Sequence, residues 1–352
     1  MNLSGLGAVS LMVLSAPFVR AASTAWNQAL KAPPEWYASA EARAMAENVL
    51  LYQAPSGGWP KNLDLSVTPT AAQRAERSFH EPTIDNGGTT QPVEFLARVA
   101  SASFDPAAVG AVERGVDYLL AAQLPSGGWP QFFPLRPGYY SHITYNDGAM
   151  VNVLTLLRAV SQKKAPYQFL DDTRRTWAAI AVEQGITCIL ATQIKQAGAL
   201  TVWCAQHDET TLQPAWARNF EPPSLSGSES VAIVRFLLSL DQPSPEIVAS
   251  ITGAAAWLRG NSIRGLRVES FTAADGHEDR LAKADPTAPP LWARFYELKT
   301  NRPIFLGRDR VVHYDHNEIE RERRTNYSYL GEWPADLLDR LYLRWQAKQH
   351  SP

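Results

Sequence analysis

Gln53-Ala-Pro-Ser-Gly-Gly-Trp59-Pro60 recurs as Gln123-Leu-Pro-Ser-Gly-Gly-Trp129-Pro130, at an offset of 70 residues. Each copy follows a run with helical period, Ala46 to Tyr52 in one case and Val116 to Ala122 in the other. The Gly-Gly lets the backbone turn where a side chain would clash. Pro60 and Pro130 stop any continuing helix. A degenerate third copy runs through Gly185 to Gln193 and on to Leu200-Thr201-Val202-Trp203, and a fourth starts at Ile251 to Leu258. Between the copies lies a second helical signal, at Thr90 to Ala100, Ala149 to Val160 and Ser228 to Leu240. Ser, Thr, Asp or Asn sits just upstream each time, where an N-cap belongs.

The unit is thus helix, Gly-rich loop, polar loop, helix, and three units span about residues 40 to 240. A helix pair cannot bury its own apolar face, so the pairs must pack on one another. The expected fold is all-α, an α/α barrel or incomplete toroid of about three repeated hairpins, with long loops at one end forming a groove. From Arg259 onward the pattern changes. Arg264 to Pro290 is polar with Gly and Pro and reads as long loops, Leu291 to Thr300 as a short element, and Leu337 to Lys348 as a closing helix. No linker-like stretch marks a second domain, so residues 23–352 read as one catalytic domain.

The start of the chain reads differently. Leu3 to Val19 is apolar, and Val19-Arg20-Ala21 is a small-residue pattern suited to cleavage. Residues 1–22 are therefore expected to be a signal peptide, making the mature protein secreted or periplasmic, outside any membrane, and by default a monomer. Nothing else approaches the roughly 18 apolar residues that a membrane span needs. Cys188 and Cys204 do not make a disulfide framework for 352 residues and are expected to be two buried thiols.

The chain carries 33 Lys+Arg, 35 Asp+Glu and a net charge of −2, with 45% hydrophobic residues. That composition excludes disorder and excludes a general nucleic-acid binder, which needs a basic surface. Eleven Trp imply core anchors or platforms in a binding groove. The basic residues are 25 Arg against 8 Lys, a bias that suits bidentate recognition of carboxylate or phosphate.

Four loops hold more reactive side chains than a scaffold needs: Thr83 to Thr90, Thr144 to Met150, Cys204 to Glu221, and Trp292 to Glu297 with Gly307 to Arg310. The first two place Asp85-Asn86 and Asn146-Asp147 ahead of helices in consecutive repeats. Two carboxylates brought to one end suit a hard cation such as Ca²⁺. They equally suit the acid and base of a glycoside hydrolase. His207, followed by Asp208, is a rival general base.

Together, Gly57-Gly-Trp-Pro60, Thr83-Ile-Asp85-Asn86, Gly127-Gly-Trp-Pro-Gln131, Tyr145-Asn-Asp147-Gly-Ala-Met150 and Pro223-Ser-Leu-Ser-Gly-Ser-Glu229-Ser resemble the catalytic domain of pectate lyase family 10 (pectic acid lyase). The resemblance covers about residues 40–335, including the tail Glu320-Arg-Glu-Arg-Arg324-Thr-Asn-Tyr-Ser-Tyr329. It implies an incomplete α/α toroid and Ca²⁺-dependent β-elimination of polygalacturonate with an arginine base. By the same resemblance Asp147 and Asp85 bind the metal, Asn86 lies near metal and substrate, Arg218 is the base, and Arg294 and Arg308 bind substrate carboxylates. Gly87-Gly88 after Asn86 departs from the family's small residue and Thr. Competing readings are an α/α-barrel glycoside hydrolase with a carboxylate pair, and a non-catalytic carbohydrate-binding protein. A triterpene-cyclase reading, suggested by the Gln-to-Trp spacing, lacks its Asp-x-Asp-Asp cluster.

Overall fold

The computed structural model describes residues 25–349. The signal peptide expected at 1–22 lies outside the described residues. Eight helices of eight or more residues occur among the described residues: α1 (Ala40–Leu50), α2 (Thr90–Ser103), α3 (Pro106–Ala121), α4 (Ala149–Ser161), α5 (Asp172–Thr192), α6 (Glu229–Leu238), α7 (Pro245–Gly260) and α8 (Tyr342–Gln349). All the helical signals of the repeats are there; several helices start earlier than the periodic runs, while the one expected at Ser228 to Leu240 is shorter, at Glu229–Leu238.

The helices stack as two rows. One row is α1, α3, α5 and α7, each packed on the next, and the other is α2, α4 and α6. Between the rows, α2 pairs with α3, α4 with α5 and α6 with α7. The first row starts on side-chain caps: Ser39 Oγ accepts from Ala42 N at 3.1 Å, Asp105 Oδ1 from Ala107 N at 2.9 Å and Asp171 Oδ1 from Arg174 N at 2.9 Å. Helices α2, α4 and α6 have no side-chain cap hydrogen bond. The polar residues ahead of them are therefore not the N-caps their position suggests.

Backbone carbonyls tie the repeats together through the quoted motif. Gln53 Nε2 donates to Gly57 O at 2.8 Å and to Ala111 O of α3 at 2.9 Å. Gln123 Nε2 does the same to Gly127 O and to Ala181 O of α5, both at 2.9 Å. Gln193 Nε2 reaches Thr201 O at 2.8 Å and Ser250 O of α7 at 3.0 Å. The tryptophans close each turn: the indole N–H of Trp59, Trp129, Trp203 and Trp292 donates to Val49 O, Leu119 O, Ile189 O and Leu258 O. Trp59, Trp129 and Trp203 are fully buried, so they are core anchors rather than sugar platforms. Gly57 and Gly127 are obligatory: φ is +97° and +83°, and a Cβ would lie 2.2 Å from Arg114 O and 2.3 Å from Gln184 O of the neighbouring helices.

The all-α toroid expected from the repeats needs correction. The fold is about 47% helix with about 12% strand, and its helices give no clear toroid. Among the described residues five two-stranded antiparallel sheets accompany them. The segment expected to be long loops contains a hairpin of two seven-residue strands, Leu266–Thr272 and Glu278–Ala284. The repeat period reports how each helix meets its neighbours, and it carries no information on whether the rows close. After α7 the chain instead satisfies its backbone through strands, and these support the loops at the helix ends. A second apolar cluster, Phe220, Phe295, Ile304, Phe305, Leu306, Ile319 and Tyr329, fills the space beneath those loops. Cys188 and Cys204 are buried free thiols, as expected. Among the described residues no helix is long and apolar enough to cross a membrane.

Candidate active site

The polar loops meet where α2, α4 and α6 begin. Residues Asp85–Gly87 and Asn146–Gly148 form matching short turns that pack on each other. Asn86 (φ 50°) and Asp147 (φ 51°) hold the same left-handed conformation, one position apart from the register in which Asp aligns with Asp. So Asp85 corresponds to Asn146, and Asn86 to Asp147. The environments differ accordingly. Asp85 is buried, whereas the Asp147 side chain is 44% exposed.

Asp85 Oδ2 accepts from Gln131 Nε2 at 2.6 Å and pairs with the Lys61 ammonium. Thr83 fixes this turn by donating from Oγ1 to Gln131 O at 2.5 Å. Gln131 Oε1, on the same amide that serves Asp85, is buried and has no hydrogen-bond partner among the described residues. Asn86 is exposed and donates to Asn62 Oδ1 at 3.0 Å. In the second turn Asn146 Nδ2 donates to Asp147 Oδ2 at 2.9 Å.

Arg294 faces Asp147, with Nη1 at 3.7 Å from Asp147 Oδ1 and 2.9 Å from Glu229 Oε1. Its Nε donates to Ser328 O at 3.1 Å and its Nη1 to Tyr327 OH at 3.2 Å. The guanidinium lies over the Tyr327 ring at 4.7 Å, with Trp333 at 5.7 Å. Burial works against the charge on Arg294, but Glu229, Tyr327 and Asp147 outweigh it and hold the group above its ordinary range. Glu229 accepts from Ser226 Oγ at 2.5 Å. Complete burial lifts its carboxyl above the usual carboxylate range despite Arg294.

Tyr327 links this cluster to Arg218. Its hydroxyl donates to Glu221 Oε1 at 2.9 Å. Arg218 forks onto the same buried carboxylate, Nε to Oε2 at 2.8 Å and Nη2 to Oε1 at 2.5 Å. Its guanidinium also lies 4.7 Å over Phe220 and 5.5 Å over Tyr327. Burial favours the neutral guanidine here, yet the bonds and charge of Glu221 override it and keep Arg218 more firmly charged than usual. Arg308 is exposed and forks onto Glu322 at 2.8 and 3.0 Å, while its carbonyl accepts from Asn219 Nδ2 next to Arg218.

The fold thus joins Asp147, Arg294 and Arg218 through Tyr327, sets Asp85 in the adjoining turn, and leaves Asn86 and Arg308 at the margins. His207 falls out of the site. It is fully buried, its Nδ1 is bonded to Leu212 O and its Nε2 accepts from Cys204 N, and burial pushes its pKa down to about 4. Among the described residues, His142, Asp208 and Glu209 are the group of three close enough to share a metal. Asp208 is already spent on Thr210 and Thr211, and Glu209 on Ser141 and His142. Sequence reasoning missed Lys61 and the roles of Glu229 and Tyr327. The signal for Lys61 was present, since it and Gln131 both follow a Trp-Pro in the 70-residue repeat.

The family described as pectic acid lyase matches residues 53–338. The chain belongs to the pectic acid lyase family. This lyase is also similar to the solved family 10 polysaccharide lyase from Cellvibrio cellulosa, with 33% identity over 90% of this chain and 95% of that one, at TM-score 0.75. An aspartate-to-alanine mutant of that protein, in complex with trigalaturonic acid, matches with the same identity and coverage at TM-score 0.76. No curated protein matches the chain. The protein is therefore an enzyme, a pectate lyase acting on a polysaccharide.

Proposed function

We propose that this pectate lyase cleaves α-1,4-polygalacturonate by Ca²⁺-dependent β-elimination, with Arg218 as base, leaving 4,5-unsaturated oligogalacturonates. The observation that carries the reading is the continuous chain of contacts from Arg218 through Glu221, Tyr327 and Arg294 to Asp147. A structural neighbour that holds trigalaturonic acid supports the substrate class.

The substrate carries one carboxylate per sugar, and the C5 proton lies α to it. Removing that proton adds negative charge to an anion, so preorganised positive charge is the largest available help. Arg294 and Arg308 bind substrate carboxylates, with Asn86 beside them. The residues present fit Ca²⁺. Asp147 offers an open carboxylate, Asp85 a second one, and the partnerless Gln131 Oε1 a buried neutral oxygen beside it. An all-oxygen donor set suits this hard cation. When bound, Ca²⁺ supplies Lewis-acid charge at the substrate carboxylate. Arg218 takes the C5 proton. The C5–H electron pair becomes the C4=C5 double bond as the C4–O bond breaks, and the leaving oxygen keeps its pair and is protonated by solvent.

Only a neutral guanidine can act as base. Burial favours that form, while Glu221 opposes it and outweighs burial in the free enzyme. Activity per bound substrate therefore rises from neutral pH to about 9. The deciding measurement is near-ultraviolet absorbance on polygalacturonate, with Ca²⁺ and with chelator. Product absorbance grows with Ca²⁺ and stops with chelator. Arg218→Ala, with substrate binding retained, loses roughly 10²–10⁴ in turnover, and Arg218→Lys is also severely impaired because its reach and fork differ. No absorbance under either condition sinks the elimination, and absorbance that ignores chelator sinks the metal. Export rests on the apolar Leu3 to Val19 stretch, and residues 23–352 act as one catalytic domain and as a monomer.

A further inference from the structure

Lys61 has no part in the chemistry proposed above, yet it sits on one of its carboxylates. The residue after Trp-Pro reaches Asp85 Oδ2 from both repeats, Lys61 from the first and Gln131 from the second. The Gln131 amide already satisfies that oxygen at 2.6 Å. The ammonium adds a charge the hydrogen bonding does not require. Gln131 Oε1 meanwhile stays buried without a partner beside the same carboxylate. A carboxylate and an orphaned amide oxygen are a cation's donor set, and the cation found there is tethered to the chain.

Lys61 is also placed to leave. Its side chain is 27% exposed, whereas that of Asp85 is only 6% exposed. It borders an open cleft of about 360 Å³ shared with Asn62, Asn86 and Gly88. Its ammonium lies 5.4 Å from the Phe132 ring centroid, so an aromatic face flanks its path. A flexible four-carbon stem allows a swing that the fixed Gln131 amide cannot make. A divalent ion on Asp85 would repel the ammonium at close range, and the nearest anion to receive it would be a sugar carboxylate in the groove.

We propose that Lys61 is a substrate-binding residue with two stations: on Asp85 in the free enzyme, where it stands in for the divalent cation, and on a galacturonate carboxylate in the complex. This rests on the reading of the enzyme as a Ca²⁺-dependent lyase of polygalacturonate. Lys61 then opposes metal binding in the free enzyme and favours substrate binding in the loaded one.

Calorimetry of Ca²⁺ and of trigalacturonate on the whole protein tests this, comparing wild type with Lys61→Met. Removing the tethered charge tightens Ca²⁺ binding to the substrate-free protein by about fivefold or more. The same variant binds trigalacturonate about fivefold more weakly at saturating Ca²⁺. Opposite signs are the signature, because a merely damaged fold weakens both. Lys61→Arg, which keeps the charge, holds Ca²⁺ affinity near wild type. Both affinities unchanged in Lys61→Met, or both moved in one direction, overturns the proposal. Wild-type turnover that ignores chelator would instead overturn the Ca²⁺ dependence on which it rests.

Discussion

Glu229 acts through Arg294. It is buried at the start of α6, with one oxygen on Ser226 Oγ and the other 2.9 Å from Arg294 Nη1. Replacing it with Gln keeps shape and removes the counter-charge. Arg294 is then free to turn fully toward Asp147. The expected result for Glu229→Gln is a loss of about 10- to 100-fold in kcat/KM, as for one charge-assisted hydrogen bond. The loss appears mainly in KM if Arg294 binds a ground-state carboxylate, and an unchanged kcat/KM would remove Glu229 from the positioning of Arg294. Asp147 stood out in the sequence because it lies in a short motif, Tyr145-Asn-Asp147, whereas Arg218 and Arg294 lie outside the quoted motifs and were singled out only by the resemblance. Tyr327 was not, because its partner Glu221 is 106 residues away and no spacing rule links them. The Asx residues ahead of α2 and α4 invited the N-cap reading, which describes local backbone only. The fold leaves those helices without side-chain caps and turns Asp85 and Asp147 to charged partners instead.

Among the elements, the Gln-to-Trp motif was the most readable part of the chain, because its first three copies make the same two ties. The indole tie spans 10 residues in the first two repeats, then 14 and 34 in the next two. Longer insertions blurred the motif: the helix of the fourth copy was visible at Ile251 to Leu258, but its tryptophan, Trp292, lay too far on to fit the period. The insertion ahead of Trp292 contains the Leu266–Thr272 and Glu278–Ala284 hairpin. It alternates weakly because much of it is exposed, and its Asp275-Gly276 turn was the remaining clue. Gln123→Ala isolates one tie, leaving Gly127 O and Ala181 O without their donor. It should destabilise the protein by about 1–3 kcal/mol. Turnover at temperatures well below unfolding should stay near wild type, since neither carbonyl touches the site. Denaturant midpoints with parallel activity assays check this, and a stability change below about 0.5 kcal/mol would strip the tie of its architectural role.

For the whole molecule, a net charge of −2 excludes only polyanion binding by bulk field, leaving a polyanion read by local arginines. Many of the other arginines are internal partners: Arg174 holds Asp117 and Asp171, and Arg324 forks onto Asp279. Among the described residues two histidines are buried in separate cores, His207 beside Tyr145 and His316 against Phe305 and Tyr329. Burial lowers both pKa values, that of His207 to about 4. Each unfolded imidazole titrates near about 6.5. A depressed histidine pKa means that the unfolded chain takes up the proton first as pH falls. Its stabilising effect is thus complete above about pH 6.5 and is lost as pH drops toward the folded value. For His207 the slope approaches about 1.4 kcal/mol per pH unit and accounts for about 3 kcal/mol across its window, and His316 adds to it in the same direction. Urea unfolding at pH 7, 6 and 5 should therefore show stability falling, with an uptake of about one proton or more by pH 5. A His207→Gln variant should be weaker at pH 7 but shed about one proton of that slope. A wild-type midpoint that stays level from pH 7 to 5 would mean that these two imidazoles are charged inside the fold, and would break the account of His207 as a structural rather than a titrating residue.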